Sequence, residues 1–530
     1  MDPIRYPYPS RKHVLFGARG AVATSQPLAT SAGLGMLERG GSAVDAAVAM
    51  AAALVVCEPT SNGLGSDAFA IVADGEEVFG LNASGPSPRA LPSERWLGAA
   101  AMPRWGWPSV TVPGAVAAWQ ALHERWGRLP WSEVLAPAIR YAEEGFPVSP
   151  ETARAWRRAA RAYRGLEGEV HGYFLETFFP GGYAPAPGEV WRNPDLAASL
   201  RRIAEEGSGW FYRGGFAEAL ERFARATGGY LRAADLADYA PEWVMPLAAR
   251  WGELEVLELP PNGQGVAALL ALKILRHLPL EGHPRESLEA YHLQIEAMKL
   301  AFADVPAHVT DPAEMRLPVE ALLDEDYARQ RARLVGREAM APPPSGLPRG
   351  GTVYLAAAAG GQSVSFIQSN YMGFGAAVAV PGTGAALQNR GAGFSTDPEH
   401  PGRVAPAKRP FHTIIPGFFA KDGRPWGPFG LMGGFMQPQG HLQLALNLGL
   451  YDLNPQSALD APRWQVAEGG EVWLEQGVPQ HVAQGLADRG HAVRVFAEGG
   501  PFGKGQILLR EGGVWWAASE PRADGQAQVI

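Results

Sequence analysis

The most constraining feature of this sequence is a junction at residue 352. Residues 337–351, "REAMAPPPSGLPRGG", hold four prolines and four glycines or serines. That composition interrupts both helix and sheet and reads as an exposed connector. From Thr352 the texture changes at once to "TVYLAAAAGGQSVSFIQSNY", and residues 352–394 read as short strands with glycine turns. The chain therefore divides into residues 1–351 and 352–530, with Thr352 opening a strand behind a breaker-rich tail. Length alone suggests about three or four domains, or one large layered body.

Composition excludes several classes. Hydrophobic residues make up 46% and charged residues 19%, enough apolar material for a large core. A net charge of −8 argues against a general nucleic-acid or anionic-membrane binder. The single cysteine, Cys57, rules out an internal disulfide and any cysteine-based zinc cluster. The N-terminal residues lack the apolar core of a secretory signal, and the longest apolar run, Ala46 to Cys57, is too short to cross a bilayer. A cytoplasmic globular protein is expected.

Local patterns place the elements. Residues 19–41 predict a strand and a helix that stops at Gly40-Gly41, and residues 42–59 an apolar, buried helix. "DAFAIVADGEEVFGLNA" predicts a hairpin around Asp74-Gly75, and residues 132–235 are mostly helical in pattern. Leu288, Tyr291, Ile295, Met298 and Phe302 recur at helical spacing. The chain closes in a helix, "GHLQLALNLGLYDL", and three strand-like runs.

Few motifs carry chemistry. Gly263 and Gly265 sit between a strand and a helix, but the third glycine and the acidic partner of a dinucleotide site are missing, so they read as a structural turn. There is no nucleophile elbow, phosphate-binding loop or H-E-x-x-H pair. The twelve histidines are scattered; His292 and His412 read as helix and loop residues, and neither a metal nor a cofactor is expected. Thr352 has two readings. In one, glycine makes a turn and a β-branched residue begins a strand. In the other, the chain is cut before Thr352. A threonine at a new N-terminus carries its own base, an α-amine whose pKa of roughly 7.7–8.0 suits proton transfer at neutral pH.

Ordered segments favour the second reading. "GGSAVDAAVAMAAALVV", "VPGAVAAWQALHERWG", "APAIRYAEEGFPVS" and "IEAMKLAFAD", followed by "GTVYLAAA", "GFGAAVAVPGTGAALQNRGAGFS", "AKRPFHTIIP" and "LMGGF", resemble the γ-glutamyltransferase family of N-terminal-nucleophile hydrolases. The resemblance implies a four-layer αββα sandwich of the α+β class, with two antiparallel sheets between helical layers. It implies a precursor cut between Gly351 and Thr352 into large and small subunits that form one intertwined body. Thr352 matches the nucleophile, Ser369 the hydroxyl that hydrogen-bonds it, and Gly433 and Gly434 the oxyanion-hole pair. Thr413 matches one of two serines lining the glutamyl site, and His412 replaces the other. Partners would be a small-molecule amide and a water or amine acceptor, with no nucleic acid or membrane; a homo-oligomer is compatible with the pattern.

The departures from the family gather in the donor pocket. The segment Leu81 to Pro88, where the family has a carboxylate-binding arginine, contains none; Arg89 is the nearest. Tyr371 replaces an asparagine, Arg390 a glutamine, and Gly393 the aspartate that pairs with the donor's α-ammonium; Val353 replaces the threonine after the nucleophile. A buried ammonium without its anion is costly, whereas arginine suits a carboxylate. A donor without an α-ammonium, of the glutaryl type used by cephalosporin-acylase-like relatives, is expected. The alternatives are a true γ-glutamyl hydrolase or transpeptidase acting on glutathione-like donors, and a binding protein that never matures. The short segment between Ser395 and Lys408 predicts an open site.

Overall fold

The computed structural model describes residues 1–10, 12–341, 351–497 and 499–530. The connector expected over 337–351 thus falls largely outside the described residues, at 342–350. Two seven-stranded antiparallel sheets form the centre. The first runs in the order Gln526–Val529, Gly20–Thr24, Gly351–Ala359, Gln362–Tyr371, Asp67–Asp74, Glu77–Ala83, Glu242–Val244. The second runs Leu15–Gly17, Val514–Ser519, Lys504–Glu511, Arg424–Met432, Gly417–Lys421, Leu254–Glu258, Leu247–Trp251. Each sheet mixes strands from both sides of residue 351, so neither segment could complete a sheet alone.

Side-chain alternation assigns the layers. In the strand Gly351–Ala359, Val353, Leu355 and Ala357 join the helix-side core, while Tyr354, Ala356 and Ala358 face the core between the sheets. Both faces are buried, which explains an apolar run with no polar alternation. Helices Pro27–Glu38 and Ala43–Cys57 cover the first sheet. Gly265–Leu275, Leu288–His308 and Met436–Gly449 cover the second. This is the expected αββα sandwich.

The helix Ala43–Cys57 is buried along its whole length. Its start is fixed by a capping box: Ser42 Oγ accepts from the Asp45 amide at 3.0 Å, and Asp45 Oδ2 from the Ser42 amide at 2.8 Å. One expectation needs correction. The strand opens at Gly351, paired with Tyr371, one residue earlier than the sequence pattern suggested. The helix Leu288–His308 carries the expected apolar stripe and also buries His292, Glu296 and Lys299; Lys299 pairs with Glu296, and His292 bonds to His491 and the Gly336 carbonyl. Among the described residues no helix is long and apolar enough to cross a membrane.

Candidate active site

Thr352 lies at the start of an inner strand and is 1% exposed. Pairing steps from Gly351↔Tyr371 to Val353↔Gln368, so the partner strand carries one extra residue opposite Thr352. This bulge turns Ser369 toward Thr352. Thr352 Oγ1 donates to Ser369 Oγ at 3.2 Å, and Ser369 Oγ donates to the Gly351 carbonyl at 2.6 Å. The Tyr371 amide donates to the same serine oxygen at 2.7 Å. One donor and two acceptor positions are all that a hydroxyl offers, so Ser369 is fully engaged. The arrangement couples the threonine hydroxyl to the carbonyl of the peptide bond that precedes it.

Tyr371 ends this strand at φ 76°, a conformation that non-glycine residues rarely adopt. Its ring packs 4.1 Å from the Arg390 guanidinium carbon. Arg390 opens a short turn and has no solvent exposure. Its Nη1 donates to Thr413 Oγ1 at 2.7 Å, while Nε and Nη2 have no hydrogen-bond partner among the described residues. Burial pulls the Arg390 pKa down to about 10, and pushes the Tyr371 phenol up to about 12 against the opposing pull of Arg390. A Cβ on Gly393 would stand 3.9 Å from the Tyr371 ring and hydroxyl. Tyr371, Arg390 and Thr413 therefore form one buried group, with the half-buried Gly393 at its edge.

Gly433 and Gly434 follow the strand Arg424–Met432 with φ 140° and 62°. Their carbonyls accept from the Met436 and Gln437 amides and so begin the next helix. A Cβ on Gly433 would approach Gly503 Cα to 3.1 Å. Gln264 was not singled out by the sequence reading, yet its Nε2 donates to both the Thr413 carbonyl at 2.5 Å and the Gly434 carbonyl at 2.9 Å. The glycine turn around Gly263 is structural, as expected, and it also ties these two segments together.

His412 is buried, with Nε2 2.9 Å from Asp67 Oδ2. Burial, and then the charge of Arg390, holds its pKa well below the usual histidine value. Asp67, also absent from the sequence-derived set, accepts from Gln388 Nε2 at 2.7 Å and the Gly85 amide at 3.2 Å. Arg89 is no substitute clamp, since it lies on the surface paired with Asp238 at 2.8 Å.

The open site expected from the short 395–408 segment holds on one side only. A cavity of about 820 Å³ has Gly351 and Gly433 in its wall, with Arg104, Trp105, Tyr163 and Trp473. Arg390 and Tyr371 are buried and stand outside that wall.

His292, Glu296 and His491 bring ligand atoms within 4.8 Å of one another. A lysine occupies the place of a cation: Lys299 Nζ is 2.8 Å from Glu296 Oε1 and 3.3 Å from His491 Nδ1. The group also holds the root of the connector, through His292 Nε2 to the Gly336 carbonyl and the Met340 amide to Glu296, both at 2.9 Å.

Residues 29–530 match the family model described as gamma-glutamyltranspeptidase. The chain is similar to the glutathione hydrolase-like YwrD proenzyme of Bacillus subtilis (strain 168), 36% identical over 532 residues that cover 97% of this chain and 99% of that protein. It is 34% identical over 531 residues to the oxamate amidohydrolase proenzyme of Klebsiella pneumoniae, covering 96% and 98%. Among solved structures it is similar to a cephalosporin acylase from Bacillus halodurans, with a TM-score of 0.95, 49% identity and coverage of 100% and 99%.

Proposed function

The chain belongs to the γ-glutamyltranspeptidase family, and from that premise we propose that Thr352 is its nucleophile and that its acyl donor carries a carboxylate without an α-ammonium group. The protein is an N-terminal-nucleophile amidohydrolase made as a self-processing precursor and acting on small-molecule amides.

The contacts of Ser369 support the cut before Thr352. Attack of Thr352 Oγ1 on the Gly351 carbonyl carbon forms a C–O bond, while Ser369 relays the hydroxyl proton toward the carbonyl oxygen. Collapse of the tetrahedral carbon breaks the C–N bond as that proton passes to the departing nitrogen, leaving an ester on Oγ1 and a free α-amine; water then hydrolyses the ester and releases residues 1–351 with a new carboxylate at Gly351. The freed α-amine then serves as the base for the same hydroxyl in turnover. The amides of Gly433 and Gly434 are assigned to the oxyanion, where such donors contribute about 3–4 kcal/mol. Water or an amine takes the acyl group from Thr352.

One observation carries the donor assignment: Arg390 is buried with two N–H groups unpartnered. A buried guanidinium in that state is expensive unless a ligand completes it, and a carboxylate accepts from two N–H groups at once. The family's anion for an ammonium is absent at Gly393. Asp67 does not replace it, because its oxygens are occupied by His412, Gln388 and Gly85. The alternative, a γ-glutamyl donor, is favoured by the name of the Bacillus subtilis relative. Turnover of glutaryl and γ-glutamyl anilides by the matured protein decides between them. A higher kcat/KM for the glutaryl compound is expected; equal or better turnover of the γ-glutamyl compound overturns the donor assignment.

A further inference from the structure

We propose that Asp67 is a specificity-setting residue of the acyl pocket: fixed by His412, its carboxylate balances the charge of Arg390 and so limits how tightly a donor or product carboxylate is held. The proposal rests on the reading of Arg390 as a carboxylate site.

Asp67 begins the strand Asp67–Asp74, directly across from Ser369. It is contributed by residues 1–351, whereas Arg390, His412 and Ser369 lie in residues 352–530. It has no solvent exposure. Three donors converge on it, the His412 imidazole, the Gln388 side-chain amide and the Gly85 backbone amide. His412 Nδ1 faces the Ile414 amide at 3.4 Å, which leaves the His412 proton on Nε2, pointing at Asp67. Every contact thus favours the ionised carboxylate.

Arg390 is the strongest opposing charge on this carboxyl group, with a further contribution from Arg409. The phenols of Tyr212 and Tyr239 feel the Asp67 charge and bring none of their own at neutral pH. Burial nevertheless pushes the Asp67 pKa up to about 7 against Arg390 and its hydrogen bonds. With Asp67 ionised, the field of Arg390 is partly cancelled, so a monoanionic donor binds moderately and the diacid product leaves. With Asp67 protonated, the guanidinium stands unbalanced and holds an anion more tightly. The sign follows: carboxylate affinity weakens as pH rises through about 7.

Glutarate is a suitable probe, since both its carboxyl groups stay ionised above about pH 6. Its binding to the matured protein, followed by calorimetry from about pH 6 to about pH 8.5, is expected to weaken with pH in the wild type. Asp67→Asn is expected to bind glutarate about tenfold more tightly at the alkaline end, with a shallower pH dependence, the remainder coming from the Thr352 α-amine, which titrates at roughly 7.7–8.0. Arg390→Ala is the control. If glutarate fails to bind the wild type, or binds Arg390→Ala equally well, the carboxylate-site reading falls and the proposal with it. If Arg390→Ala loses glutarate while Asp67→Asn keeps wild-type affinity and pH dependence, only the role of Asp67 falls. Should Asp67→Asn not fold, a pH-independent wild type overturns the proposal by itself.

Discussion

The Ser369 hydroxyl bridges the Thr352 hydroxyl, 3.2 Å away, and the carbonyl oxygen of Gly351, 2.6 Å away. One side chain thereby touches both the attacking oxygen and the bond to be cut. Ser369→Ala is expected to slow maturation about a hundredfold, the scale of losing one donor to a developing oxyanion. Ser369→Thr keeps a hydroxyl and should mature. Densitometry of precursor and product bands against time checks both.

Arg390 should separate binding from stability. Removing it deletes charge-assisted bonds to a donor carboxylate; the loss of even one, about 1.5–3 kcal/mol, should raise KM at least about 10- to 100-fold in Arg390→Met. Because two of its N–H groups are buried without partners, the same change should leave the melting temperature unchanged or higher. Kinetics with a glutaryl anilide and a thermal melt give the two readings.

Gly433 and Gly434 occupy left-handed backbone, which disfavours any side chain there. Gly434→Ala is expected to reduce kcat about a hundredfold or more with a smaller change in KM. A loss confined to KM would remove these residues from the oxyanion assignment.

A buried ion network sets the acid limit of the fold. Glu520 accepts from Arg463 at 2.8 Å, Arg522 at 2.7 Å and the Gly505 amide at 2.9 Å. Burial alone would raise its pKa, but Arg463 and Arg522 outweigh it and bring the value down to about 2. A depressed carboxyl pKa adds stability above its unfolded value, and that stability is lost as pH falls through the folded one. The contribution, about 3 kcal/mol, should therefore disappear between about pH 4.5 and about pH 2. Glu520→Gln should be less stable at neutral pH and show a shallower acid dependence. Denaturant melts at several pH values test this.

Individual elements were legible in the sequence because they carry strong local patterns, as in the apolar run over Ala43–Cys57 and the hairpin from Asp67; these patterns show only a mixture of helix and strand, and the αββα arrangement came from the family resemblance. Thr352 stood out at its junction, whereas Ser369 was reached only through the family resemblance; the structure places the two on adjacent strands. Asp67 and Gln264 were not. Their neighbourhoods read as the start of a strand and a glycine turn, and their significance arises only where distant segments meet, at His412 and at Gly434. His412 illustrates the same limit. Its place beside Thr413 came from the family resemblance, and its bond to Asp67 appears only in the folded chain. Exposure too was beyond the pattern, since the short 395–408 segment says nothing of the Tyr371 ring that packs against Arg390.

The central claim is that this chain cuts itself before Thr352 to make its nucleophile. Intact-mass analysis with N-terminal sequencing of the purified protein tests it most directly. The account predicts two chains, residues 1–351 and 352–530, the second beginning Thr-Val-Tyr-Leu, and a single uncut chain for Thr352→Ala. A wild-type protein that stays one chain after prolonged incubation, or that is cut at another bond, would contradict it.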